Sequence, residues 1–238
     1  MDPFGGPVQL FSGDAADGTS TGTAEEDMDR VRRELLAFNA GGAGSLRIYR
    51  PRPTAAFAPR DTTLPQFGQA AETMRSMGFV PVERRAGGQL AVYDSSALVI
   101  DLVSPHPEPR LHVTERFRAF SAKIAEALRD FSVDARVGGI AGEYCPGEYS
   151  VNGGGRTKLA GMAQRIGRLG YHLGAVISVE PSAEAGEAVA EAYRILGFPF
   201  EPSTFGALTD FAGGVNFAVL RDALAMRLNR VIDVSQKF

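Results

Sequence analysis

The run Ala97-Leu-Val-Ile-Asp-Leu-Val103 constrains the fold more than any other stretch of the chain. A strand with one wet face alternates polar and apolar residues, whereas this one is apolar almost throughout and reads as a strand covered on both faces. The chain must therefore lay structure above and below a sheet. Its 238 residues, 44% of them hydrophobic, are enough to build such a core.

Helical and extended segments are interspersed around that run. Met28, Val31, Leu35, Leu36 and Phe38 keep helical spacing from Ala24, behind the acids Glu25, Glu26 and Asp27, and Gly41-Gly42 stops them. Further helices are predicted from Pro65 to Met77, closed by Gly78, over Thr114–Phe131, over Ala183–Leu196 and over Val215–Val231. Strands are predicted at Ser45–Arg50, Thr54–Ala58, Phe79–Arg84, Val133–Val137 and Leu173–Val179. Glu148–Arg168 reads as a hairpin turning at Gly153-Gly154-Gly155. Without a strict βαβ rhythm, the pattern gives an α+β fold: one mixed β-sheet with flanking helices in a single domain, 24–238, with the helices of 183–231 packed on it. Residues 1–23, rich in Gly, Ser, Thr, Asp and Ala and without apolar period, are expected to be a disordered tail.

Charge and cysteine content exclude several classes. Lys and Arg total 25 against 28 Asp and Glu, a formal charge of −3, so no basic surface is expected to hold nucleic acid. No apolar run approaches the ~20 residues of a membrane span, and no basic start precedes an apolar core at the N-terminus, so a cytoplasmic protein is expected. The single cysteine, Cys145, permits no internal disulfide.

Cys145 stands in a stretch from Gly138 to Arg168 that combines turn formers, a triple glycine and Lys158. A free cysteine is commonly a small core residue, but Gly142 and Pro146-Gly147 favour a turn and partial exposure, as a nucleophilic thiol needs. Lys158 reads either as a solvated strand residue or, within Leu-Ala-Gly-Met-Ala, as an amine aimed into a pocket where it polarises an acyl carbonyl. A hairpin centred on Gly154 puts Lys158 opposite Ser150, with Cys145 ~16 Å farther along an extended strand, so thiol and amine meet only if Pro146-Gly147 folds the chain back. Gly153 to Gly155 are either the turn or a ligand cradle.

Arg84-Arg85-Ala-Gly87-Gly88, between two strands, offers guanidinium donors beside backbone that a ligand can approach, or simply a loop with two surface arginines. His106, His112 and His172 show no metal-ligand spacing, and no metal is expected. No P-loop or glycine-rich dinucleotide fingerprint is present.

Together, Leu46-Arg-Ile-Tyr-Arg-Pro51, Arg84-Arg-Ala-Gly-Gly88 with Ala91-Val-Tyr93, and Lys158-Leu-Ala-Gly-Met-Ala-Gln-Arg165 resemble the biotin and lipoate protein ligase and transferase superfamily. The likeness runs in order from about Asp27 to Val179, and the last piece matches the family's lysine strand, K-I/L-x-G-x-A-Q-R. It implies a biotinyl/lipoyl-transferase-like, class II synthetase-like catalytic domain. It also implies that Lys158 contacts the acyl group and that Cys145, placed as in the cysteine-dependent octanoyl and lipoyl transferases, carries it as a thioester. Arg84, Arg85, Gly87, Gly88, Tyr93, Asp94, Gly153, Gly154, Gly155, Gly161 and Ala163 become the implied substrate-binding set. Asp94 stands where the family usually has histidine, and Gln89 where it has a third glycine.

Three functions follow from the resemblance. The first is an acyltransferase that moves octanoyl or lipoyl from a donor onto a lysine of a lipoyl domain, in a 2-oxoacid dehydrogenase complex or the glycine-cleavage H protein, with no cofactor. The second is an ATP-dependent lipoate or biotin ligase, which would use ATP and Mg. The third is a non-catalytic acyl-binding module.

Overall fold

The computed structural model describes residues 4, 8–11, 14–38 and 41–233. Among them lie strands β1 (Val8–Leu10), β2 (Gly44–Tyr49), β3 (Thr54–Phe57), β4 (Val80–Glu83), β5 (Ala91–Tyr93), β6 (Ala97–Pro105), β7 (Ala135–Val137), β8 (Val151–Gly153), β9 (Thr157–Ile166) and β10 (Gly170–Ser178). The helices are α1 (Ala24–Ala37), α2 (Phe67–Ser76), α3 (Val113–Arg129), α4 (Ala183–Leu196) and α5 (Phe217–Asp233).

The apolar run is β6, and it is covered on both faces as its composition requires. It sits inside a seven-stranded sheet ordered β1-β2-β6-β10-β9-β8-β7, antiparallel except for β1 against β2. On one face, Leu98, Ile100 and Leu102 join Leu173 and Ile177 of β10, Phe120, Ile124 and Leu128 of α3, and Leu220 and Leu224 of α5 in one core. Each such side chain, fully buried, contributes about 1.5–3 kcal/mol. On the other face, Ala97 and Val99 join a second core with Ala55, Ala56 and Phe57 of β3, Ala70, Ala71 and Met74 of α2, and Ala188, Val189 and Ala192 of α4. The fold is α+β, with mixed sheets and flanking helices.

The β-structure divides in two where the sequence suggests one sheet. β3 pairs with β4 in parallel and β5 antiparallel, making a separate three-stranded sheet, β4-β3-β5. Pro51 and Pro53, between β2 and β3, lack the N–H donors that would continue the first ladder.

The expectation of disorder over 1–23 is corrected for the described part of that segment. Val8, Gln9 and Leu10 pair with Gly44, Ser45 and Leu46, and Phe4 is buried. The reason is buried charge: Arg47 of β2 is 3% exposed and meets Asp14, Ser20 and Asp27, the Asp27 contact at 2.6 Å. A guanidinium in a core needs such partners, and the segment supplies two of the three. Residues 1–3, 5–7 and 12–13 lie outside the described residues.

α1 begins with a reciprocal cap. The Thr23 hydroxyl accepts from the Glu26 N–H at 3.2 Å, and the Glu26 carboxylate accepts from the Thr23 N–H at 2.7 Å. The helix lies on the β6 and β10 face of the large sheet, between it and β4. No helix among the described residues is long and apolar enough to cross a membrane.

Candidate active site

Between β7 and β8 the chain folds back as the pairing of Cys145 with the lysine strand requires. The buried carboxylate of Glu143 accepts from the N–H of Gly147 at 2.9 Å and the hydroxyl of Ser150 at 2.7 Å, which closes the loop around Cys145-Pro146. Cys145 has a left-handed backbone, φ 41°, although it is not glycine. Such a conformation costs on the order of 1–3 kcal/mol and persists only where surrounding contacts impose it.

Those contacts grip both peptide groups of Cys145. Its N–H donates to the hydroxyl of Tyr193 on α4 at 2.6 Å, and that hydroxyl donates to the carbonyl of Leu90 at 2.9 Å. Its carbonyl accepts from the Lys158 amine at 2.8 Å, as does the carbonyl of Tyr144 at 2.8 Å. The half-buried sulfur then faces the Gln89 N–H at 3.2 Å and a guanidinium nitrogen of Arg84 at 3.5 Å. Two donors converge on the atom that becomes negative when a thiol reacts as thiolate. Gly88 completes the cradle: a Cβ there would lie 2.8 Å from the sulfur and 2.5 Å from Arg84.

Lys158 holds the sulfur's peptide rather than the sulfur. The amine is buried, and its bonds go to the Tyr144 and Cys145 carbonyls and, at 3.3 Å, to Glu143. Burial lowers its pKa from the ordinary lysine value, against the opposing pull of Glu143. Its strand register also corrects the sequence reading: Lys158 pairs with Asn152, not Ser150. The turn is centred on Gly155, and between Asn152 and Val151 the partner jumps from Lys158 to Ala160, leaving Leu159 as an extra residue. That bulge shifts the phase of β9, so Lys158 reaches across Gly161, where a Cβ would meet its side chain at 3.0 Å.

Two cavities flank the thiol. The first is floored by Gly161 and Ala163 of β9, Gly174 and Val176 of β10, and Val99 and Asp101 of β6, where glycine and alanine leave room above the sheet. Met28, Val31 and Leu35 of α1, Ala56 and Tyr93 wall it, and Arg32, Arg84, Arg85 and Arg165 also line it. The second holds Cys145 itself with Gly87, Gly88, Gly147, Phe117, Tyr149 and Gln164. Met162 and Ala163 border both. Two buried donors, Nε of Arg84 and Nε2 of Gln164, have no hydrogen-bond partner among the described residues.

The implied substrate-binding set is thus split. Arg84, Arg85, Tyr93, Gly161 and Ala163 line the first cavity, and Gly87 and Gly88 the second. Asp94 does not join them: its carboxylate accepts from the Ser96 N–H at 2.8 Å and the Ser182 hydroxyl at 2.6 Å, fixing the turn before β6 and the start of α4. Gly153, Gly154 and Gly155 form the β8–β9 turn, with Gly153 against the Phe211 ring, and line neither cavity.

The sequence reading missed Glu143, Tyr193 and the pairing of His172. His172 Nε2 lies 2.8 Å from Asp101 Oδ1, and both side chains line the first cavity. Burial would raise the Asp101 pKa, but the hydrogen bond and charge of His172, with Arg47, hold it below the usual carboxylate value. The signal was present in the apolar run: an acid inside a doubly covered strand requires a buried partner.

The two-sheet frame with its flanking helices matches solved structures of lipoate protein ligases. Lipoate-protein ligase A bound with ATP superposes with a TM-score of 0.67 at 17% identity, over 96% of this chain and 86% of that one. A bi-partite lipoate protein ligase from Thermoplasma acidophilum gives a TM-score of 0.63 at 19% identity, over 97% of this chain and 84% of that one. At these identities the likeness is one of fold. The family model of the lipoyl protein ligase A/B catalytic domain matches residues 42–201, and the chain belongs to that family. Octanoyl-[GcvH]:protein N-octanoyltransferase of Geobacillus kaustophilus is 31% identical over 170 residues, 70% of this chain and 60% of that protein's own length.

Proposed function

We propose that this protein is an acyltransferase of protein lipoylation that carries octanoyl or lipoyl on Cys145 as a thioester. The observation that carries the reading is the grip on Cys145: two hydrogen bonds hold its peptide while the Gln89 N–H and Arg84 face its sulfur. The first cavity takes the acyl chain, and Arg84 Nε, buried without a partner among the described residues, is a donor for the acyl carbonyl.

In the first step the Cys145 sulfur attacks the carbonyl carbon of an acyl thioester. The new C–S bond forms as the donor's C–S bond breaks, and the thiol proton ends on the departing sulfur. In the second step the ε-amine of an acceptor lysine attacks the Cys145 thioester, an amide forms, and one amine proton returns to the cysteine sulfur. Both steps start from a thioester, so the reaction needs neither ATP nor metal. The acceptor is a lysine of a lipoyl domain or of the glycine-cleavage H protein; the name of the Geobacillus relative has octanoyl-[GcvH] as donor and a protein as acceptor, which supports transfer from one carrier protein to another. A free thiol on which the chemistry depends suits the reducing cytoplasm.

The test is transfer from an octanoyl-carrier protein to a lipoyl domain without ATP. Transfer that Cys145→Ala abolishes supports the reading. Acyl-dependent pyrophosphate release indifferent to that substitution establishes an ATP-dependent ligase instead, and tight acyl binding without transfer a binding module.

A further inference from the structure

Besides its apolar wall and its arginines, the first cavity carries one histidine–carboxylate pair on its floor. Ala163, which borders the cysteine cavity, pairs with Gly174, and Gly174 pairs with Asp101. From Ala163 to Asp101 is therefore two strand spacings, about 10 Å. An eight-carbon acyl chain that enters at Ala163 and crosses Gly174 covers a span of that order before its tail meets the pair. Gly174 is needed for the path and for the pair: a Cβ there would lie 2.9 Å from the His172 ring and 3.7 Å from Asp101 Oδ1. Asp101 accepts from His172 Nε2, which leaves Nδ1 without a hydrogen-bond partner among the described residues. The side chains are 10% and 13% exposed.

We propose that the Asp101–His172 pair selects the acyl group, favouring chains that end in a hydrogen-bonding or polarisable group, such as a dithiolane, over chains that end in methyl. The inference rests on the reading of the first cavity as the acyl site. A methyl terminus strips water from the imidazole and carboxylate and returns nothing. A dithiolane places polarisable sulfur against the imidazole ring, and a hydroxyl satisfies its free nitrogen.

The test is competition between equal concentrations of the lipoyl and octanoyl thioesters of N-acetylcysteamine for the full chain, with the two Cys145 adducts quantified by intact mass. In the wild type the lipoyl adduct is expected to exceed the octanoyl adduct roughly tenfold, and His172→Leu to bring the ratio close to one. An octanoyl adduct that equals or exceeds the lipoyl one in the wild type, or a ratio that folded His172→Leu leaves unmoved, overturns the proposal. Asp101→Asn replaces His172→Leu if circular dichroism shows that variant unfolded. If the wild type forms no adduct at all, the transfer reading has failed rather than the preference. Calorimetry with lipoate, 8-hydroxyoctanoate and octanoate then decides the preference by the same criterion, and binding of none of the three overturns it.

Discussion

At the scale of single residues, the thiol is positioned by side chains that do not touch it. Lys158 and Tyr193 hold the two peptide groups of Cys145, and each leaves a buried group stranded when removed. Lys158→Met leaves the Glu143 carboxylate, 2% exposed, without its countercharge, a loss of roughly 3–5 kcal/mol. Tyr193→Phe leaves the Cys145 N–H and the Leu90 carbonyl unpaired, a loss of roughly 1–3 kcal/mol. Urea unfolding of the two variants is expected to show both losses, with Lys158→Met the larger; wild-type stability in either contradicts the grip. Arg84, Gly88, Cys145 and Lys158 were legible in the sequence because each residue type carries its own chemistry. Tyr193 was not, because it sits on the apolar stripe of α4 and its hydroxyl is invisible to periodicity. For Lys158 the sequence left a solvated strand residue and an amine in a pocket both open; the structure buries it, and the Leu159 bulge that turns it toward the Cys145 carbonyl leaves no mark on residue spacing.

At the scale of elements, α1 joins the fold to the candidate site, since Met28, Val31 and Leu35 on one of its faces wall the first cavity. Its start depends on the Thr23–Glu26 box. Thr23→Ala is expected to cost about 1 kcal/mol, read as a lowered melting temperature, and to weaken octanoate binding measured by calorimetry. Unchanged melting and binding would show that the box does not hold the wall. The helices and longer strands were readable because an apolar period runs through them, helped by the cap before α1 and the glycines after α2 and α4. β5 was not, since three residues carry no period. β1 escaped because what orders it lies outside its own sequence: Val8 and Leu10 pair with β2, beside an Arg47 that needs Asp14 and Asp27.

At the scale of the whole molecule, the two cores meet β6 from opposite sides and enclose many polar groups with the apolar ones. Burial pushes the phenols of Tyr49, Tyr93, Tyr144 and Tyr193 above the ordinary value of 10.0. The folded chain therefore keeps protons that the unfolded chain loses, a contribution that is complete below pH 10 and lost as pH rises beyond it. These four are expected to form tyrosinate only together with loss of the circular dichroism signal; their ionisation at pH 10 in a folded chain would contradict the packing. The central claim, that Cys145 accepts the acyl group, is tested most directly by the intact mass of the protein after incubation with octanoyl-carrier protein. The account expects one octanoyl adduct, released by hydroxylamine and absent in Cys145→Ala. No adduct, or one that survives Cys145→Ala, would contradict it.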